Sequence, residues 1–66
     1  MIYPTQVDVG REVIYTPPST GGDPGHSSAR LGRLVHLQGG FMANVRLGSA
    51  LATSLFSLAD LHWVTG

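Results

Sequence analysis

The chain has no cysteine and no lysine, and charged residues fill only 12% of its 66 positions. Without cysteine there are no disulfides and no thiolate metal sites. A domain this small buries only about 60% of its unfolded-chain surface and is marginal by itself, so it needs some other staple. Oligomerisation, a ligand or very good packing remain. The shortage of charge favours the first. Soluble domains usually carry about 25% charged residues, and a surface with far fewer must expose neutral, partly apolar patches of the kind that mark association sites. A homo-oligomer is therefore expected.

Positive charge is scarce too. Four arginines are balanced by three aspartates and one glutamate, for a net charge of zero. Nucleic-acid binders draw most of their affinity from phosphate neutralisation and show a basic stripe, so a nucleic-acid partner is not expected. Long apolar runs are missing as well. The longest uncharged run, Leu47 to Ala59, is too short and too rich in Ser, Thr and Gly to span a bilayer. The opening MIYPTQVDVG has no basic segment leading into an apolar one, as a secretory leader would. The expectation is one domain, 1–66, soluble and cytoplasmic, with no membrane contact.

What is present is strand-type alternation broken by turn residues. Gly10-Arg11-Glu12-Val13-Ile14-Tyr15 reads as a turn entering a strand, with Val13 and Tyr15 on one face and Glu12 and Ile14 on the other. Pro17-Pro18 stops it, because proline cannot donate to a ladder. Residues 1–8 form an N-terminal arm. Residues 16–30 form a long loop holding three of the four prolines and three of the nine glycines. Loops beyond about 12 residues in a compact domain are usually functional or disordered, so this loop is read as a recognition element.

Leu31 to Leu37 is the second strand, where Gly32 marks a bulge or a close backbone approach. Gln38-Gly39-Gly40 is a hairpin turn. Phe41 to Leu47 is the clearest strand, with Phe41, Ala43, Val45 and Leu47 on its apolar face. After the Gly48-Ser49 turn, residues 49–62 admit two readings. One is a helix capped by Ser49, with Leu51, Leu55, Leu58 and His62 along one side. The other is a strand with Leu51, Thr53 and Leu55 on one face. It is followed by a single helical turn capped by Ser57 and a last strand, His62-Trp63-Val64. The second reading gives five strands and a small β-barrel, an architecture that removes exposed edges.

Chemistry-bearing residues are few. His26, His36 and His62 fall at no zinc-motif spacing, and no metal site is expected. The four acids are scattered, so no carboxylate pair is set up for acid–base work. No serine sits in a G-x-S-x-G elbow. Gly21-Gly22-Asp23-Pro24-Gly25 matches neither phosphate-loop pattern. No catalytic residue and no cofactor are expected. Arg30 and Arg33 flank the loop exit, and guanidinium forks grip phosphate or carboxylate. Together with His26, the loop amides and Asp23 they make the candidate ligand-binding set: Asp23, His26, Arg30 and Arg33.

Two resemblances add to this reading. The order G-x-x-V-x-Y-x-P at Gly10, Val13, Tyr15 and Pro17, G-D-x-x-H at Gly22, Asp23 and His26, G-x-[VL]-[VL] at Gly32, Leu34 and Val35, and A-D-L-x-x-V at Ala59 to Val64 resembles a family of short phage- and prophage-encoded proteins. Such proteins look like SH3-like barrels, which tips residues 49–62 toward strand plus helical turn. The resemblance implies an all-β, small five-stranded SH3-like barrel with a long loop after the first strand and one helical turn before the last.

Tyr3-Pro4-Thr5, Gly10-Arg11-Glu12-Val13 and Thr53 to Leu61 are similar to plasmid-borne type B dihydrofolate reductase, another SH3-like barrel. Its V-Q-I-Y motif falls on Thr53-Ser54-Leu55-Phe56, so the ligand-binding amide and phenol are lost. That similarity implies a shared fold more than a shared reaction. The function expected is binding: a counter-defence or host-modulating factor that sequesters a small anionic, nucleotide-like ligand between subunits. The alternatives are an interaction module that blocks a host protein, or a reductase of the type B kind.

Overall fold

Alternation of apolar and polar residues produces five strands: β1 (Glu12–Tyr15), β2 (Arg30–Gln38), β3 (Met42–Leu47), β4 (Ser54–Ser57) and β5 (Leu61–Trp63). The structure, a computed structural model, describes residues 2–64, so Met1, Thr65 and Gly66 of the expected domain lie outside the described residues. The strands form one antiparallel sheet in the order β4-β3-β2-β1-β5. Three short 3-10 helical turns complete it, at Gln6–Asp8, Pro18–Thr20 and Leu58–Asp60. No helix among the described residues is long and apolar enough to cross a membrane.

The fold is thus all-β, with the long loop and the helical turn where they were expected, but the sheet is not closed. No ladder joins β4 to β5 among the described residues. The seam is bridged by side chains instead. Tyr15 of β1 and Phe56 of β4 have two strands between them in the ladder order, yet their ring centroids are 4.1 Å apart. Aromatic pairs at such distances add to plain area burial, and this one holds the curled sheet together without backbone pairing.

The concave face carries the core of Val13, Leu34, Ala43, Val45, Leu58 and Leu61. Ile2 of the N-terminal arm joins it at 3% exposure. The arm is held by a small network at its other end. The Thr5 amide donates to Asp8 Oδ2 at 2.8 Å, and Arg11 pairs with Asp8 at 3.0 Å. The same Arg11 guanidinium lies 4.1 Å from the centre of the Trp63 ring on β5, a cation–π contact.

Gly32 faces the core, where a Cβ would lie 2.7 Å from Val45 Cγ1 and 2.9 Å from the Arg46 carbonyl oxygen. It is therefore a close backbone approach, the second of the two roles expected of it. The bulge sits one turn of pleat later. Leu34 pairs with Val45 but His36 pairs with Asn44, which leaves Val35 as an extra residue. Before the bulge Gly32 and Leu34 point inward; after it Leu37 does, opposite Ala43.

Several expectations need correction. Phe41 lies in the hairpin turn at 81% exposure, not on the apolar face of β3. Leu51 is 98% exposed in the β3–β4 loop, because β4 starts only at Ser54. The helical reading of 49–62 is not taken. Ser57 caps the following turn as expected, its hydroxyl accepting from the Ala59 amide, and Val64 lies beyond the end of β5.

Candidate anion-binding site

The convex face of β1, β2 and β3 carries a row of charge. Glu12 is the register partner of Arg33, and Arg33 is the register partner of Arg46. All three are exposed. Opposite charges across a strand pair stabilise it, and like charges directly opposite destabilise it. The row therefore contains one favourable and one unfavourable neighbour.

Arg33 is fixed at both ends of its guanidinium. Its Nη1 donates to the Gly10 carbonyl, and its Nη2 lies 3.6 Å from Glu12 Oε1. That ion pair is longer than a hydrogen bond and half exposed on both sides, at 58% and 48%, so it is weak. Among the described residues, Arg46 and Arg30 have no acidic partner.

Two adjoining recesses open beside this row. One, of about 250 Å³, is walled by Glu12, Leu31, Arg33 and Arg46. The other, of about 500 Å³, is walled by Arg30, Leu31, Leu47 and the Ser49-Ala50 pair. Leu31 and Gly48 belong to both. The Gly48 amide donates to the Leu31 carbonyl at 3.0 Å, which ties the β3–β4 loop to β2 at their junction. Gly48 reaches this position with φ of +53°, a backbone region where side chains are disfavoured.

The four residues expected to bind a ligand divide between two places. Arg30 and Arg33 line the recesses. Asp23 and His26 do not; both are exposed in the long loop and are used in its turns. Asp23 Oδ1 accepts from the Gly25 amide at 2.9 Å, and His26 Nδ1 accepts from the Ser28 amide at 3.0 Å. They order the loop, as Asx-type turns do.

Arg46 is the residue that sequence reasoning missed. Counting back from the hairpin pair Gln38–Met42 puts Arg46 opposite Leu34. The bulge at Val35 moves the register by one, so that Leu34 turns into the core and Arg33 faces outward beside Arg46. Bulges commonly re-aim a side chain in this way.

The other polar cluster is structural. The Thr16 amide and hydroxyl both donate to the Asp60 carbonyl, at 2.8 and 3.0 Å, and His62 Nε2 lies 3.2 Å from the hydroxyl. With its proton given to the carbonyl and only 2% exposure, this hydroxyl is not presented as a nucleophile. Among the described residues, no group of three or more His, Asp or Glu is placed to hold a metal ion. The convex row can grip an anion, and it holds no base free of an arginine. No family model, curated protein or solved structure matches the chain.

Proposed function

We propose that the protein is a non-enzymatic binder that sequesters a small anionic, nucleotide-like ligand between subunits. The observation that carries this reading is the gathering of Arg30, Arg33 and Arg46, three of the chain's four arginines, around two adjoining recesses. Glu12 is the single acid among the lining residues. Ligand pockets usually enclose about 300–1,000 Å³ and cover most of the ligand. One copy offers volume in this range but leaves it open along one side, where a second copy would supply the missing wall. Oligomerisation therefore belongs to the proposal.

The finer fold reading is an SH3-like barrel whose seam is packed rather than paired. The likeness to short phage and prophage proteins gives it a setting: a phage-derived factor in the host cytoplasm that holds a nucleotide signal away from host defence. A second reading, docking on a host protein, is favoured by Phe41 and Leu51, large apolar side chains left at loop tips.

Native mass spectrometry of the purified protein, before and after denaturation, tests the first reading. An oligomer that releases a small phosphorylated mass is expected. A bare monomer that takes up no nucleotide on addition would overturn it and turn attention to host proteins.

A further inference from the structure

We propose that the ligand is gripped by a phosphoryl group between Arg33 and Arg46, and that Glu12 is a built-in counter-ion which this group displaces. The inference rests on the anion-binding reading above and goes further by naming the gripped group and the residue that opposes it.

Arg33 and Arg46 are directly opposed across β2 and β3, so their Cβ atoms are about 4.5–5.5 Å apart. Two guanidinium groups rooted that close repel unless an anion lies between them. The only acid in the row is Glu12, and it stands on the far side of Arg33 from Arg46. It offsets one of the two charges and leaves the other uncompensated.

The geometry selects the chemistry of the anion. A carboxylate has two oxygens, and one guanidinium fork satisfies them. A terminal phosphoryl group has three oxygens and a charge of about −1.5 to −2. It therefore suits two guanidinium groups arriving from adjacent strands. The Gly10 carbonyl holds Arg33 Nη1, so Nη2, the nitrogen now facing Glu12, is the one left to turn to a ligand. Leu31, exposed at the junction of the two recesses, offers apolar surface to the organic part. Glu12 repels the same phosphoryl group that the arginines attract. It keeps Arg33 in place when the site is empty and weakens whatever binds.

The test is an NMR titration of the arginine Nε–Hε signals with ADP, inorganic pyrophosphate and acetate at fixed ionic strength. It is run on the natural chain and on Glu12→Gln, Arg46→Gln and Arg30→Gln. All three sites are exposed, so the variants should keep the fold. ADP and pyrophosphate are expected to move Arg33 and Arg46 together, and acetate to move neither. Loss of the repelling carboxylate should tighten ADP binding roughly fivefold, and Arg46→Gln should weaken it roughly tenfold. If ADP binds but moves only Arg30 or loop signals, or if Glu12→Gln binds no more tightly than the natural chain, this inference is overturned while anion binding stands. If no anion moves any arginine signal, both fall.

Discussion

The long β1–β2 loop and the convex face of β2 and β3 divide between them the residues expected to bind a ligand, and they use those residues differently. In the loop the bonds are local. Thr20 closes a turn on Pro17, Asp23 on Thr20, His26 on Asp23 and Ala29 on His26, each three residues apart. Side chains there stabilise the path of the chain, and residues 21–28 stay exposed. On the convex face the ladder bonds are between strands, and outward side chains such as Arg46 are held in register by backbone pairs. A loop that occupies its own polar groups has few left for a partner, while a sheet satisfies its backbone internally and leaves its outer side chains free. By this comparison the sheet is the stronger candidate for the anion, and the loop's length is not by itself a sign of function.

Four changes would break or sharpen the comparison. The largest effect is expected from inserting an alanine between Val45 and Arg46. The insertion moves Arg46 from its place opposite Arg33 to one opposite Gly32, on the core side, so either an arginine or an apolar core residue must face the wrong way. A domain of this size has only about 3–10 kcal/mol of stability, and burying an unpaired charge removes several of those. The insertion should abolish cooperative unfolding in urea and anion binding together. Next is Gly32→Val, whose Cβ would meet Val45 Cγ1 and the Arg46 carbonyl. It should lower stability by about 3 kcal/mol, read from the shift of the urea midpoint.

The loop should matter far less. Replacing Gly22–Ser28 by a short glycine linker removes only exposed residues, and loop-closure entropy changes slowly with length. Stability should move by less than about 1 kcal/mol and ADP affinity by less than twofold. A large loss of affinity in this variant would return recognition to the loop.

The smallest effect is a pH dependence at the arm. The Thr5 amide, and after it the Arg11 guanidinium, hold the Asp8 carboxyl below its ordinary value of 3.8. A lowered folded pKa favours the folded state when the group is ionised. The contribution is therefore complete above the ordinary value and lost as pH falls through the lowered one. Thermal melts should show a slight extra drop below pH 4 in the natural chain. Asp8→Asn should remove that step while lowering the melting temperature a little at neutral pH, solvent screening keeping both changes small.

Much of the fold was legible because strand signals here are local. Val13 and Tyr15 alternate with Glu12 and Ile14, proline follows, and β1 ends where the pattern ends. Ser57 announced its helical turn through its capping hydroxyl. What was not legible depends on distant parts of the chain. Ile2 looks no different from the exposed Tyr3 beside it; only the cavity it fills marks it as core. The Val35 bulge has no glycine or other local signal, and with it went the register that makes Arg46 a partner of Arg33. Half of the site was visible as Arg30 and Arg33 because they are close in sequence. The other half needed the sheet.

The strand order also has a meaning in time. Of the five strands, β1 leaves the ribosome before the others, and it pairs on one side with β5, which leaves after them. Thr16, just after β1, donates through both its amide and its hydroxyl to the carbonyl of Asp60. The core can be sealed only when residues 60–63 have been made, so the nascent chain stays an incomplete sheet until then. A chain that stopped before residue 60 would keep β1 unpaired on one edge, exposed to any other strand it meets.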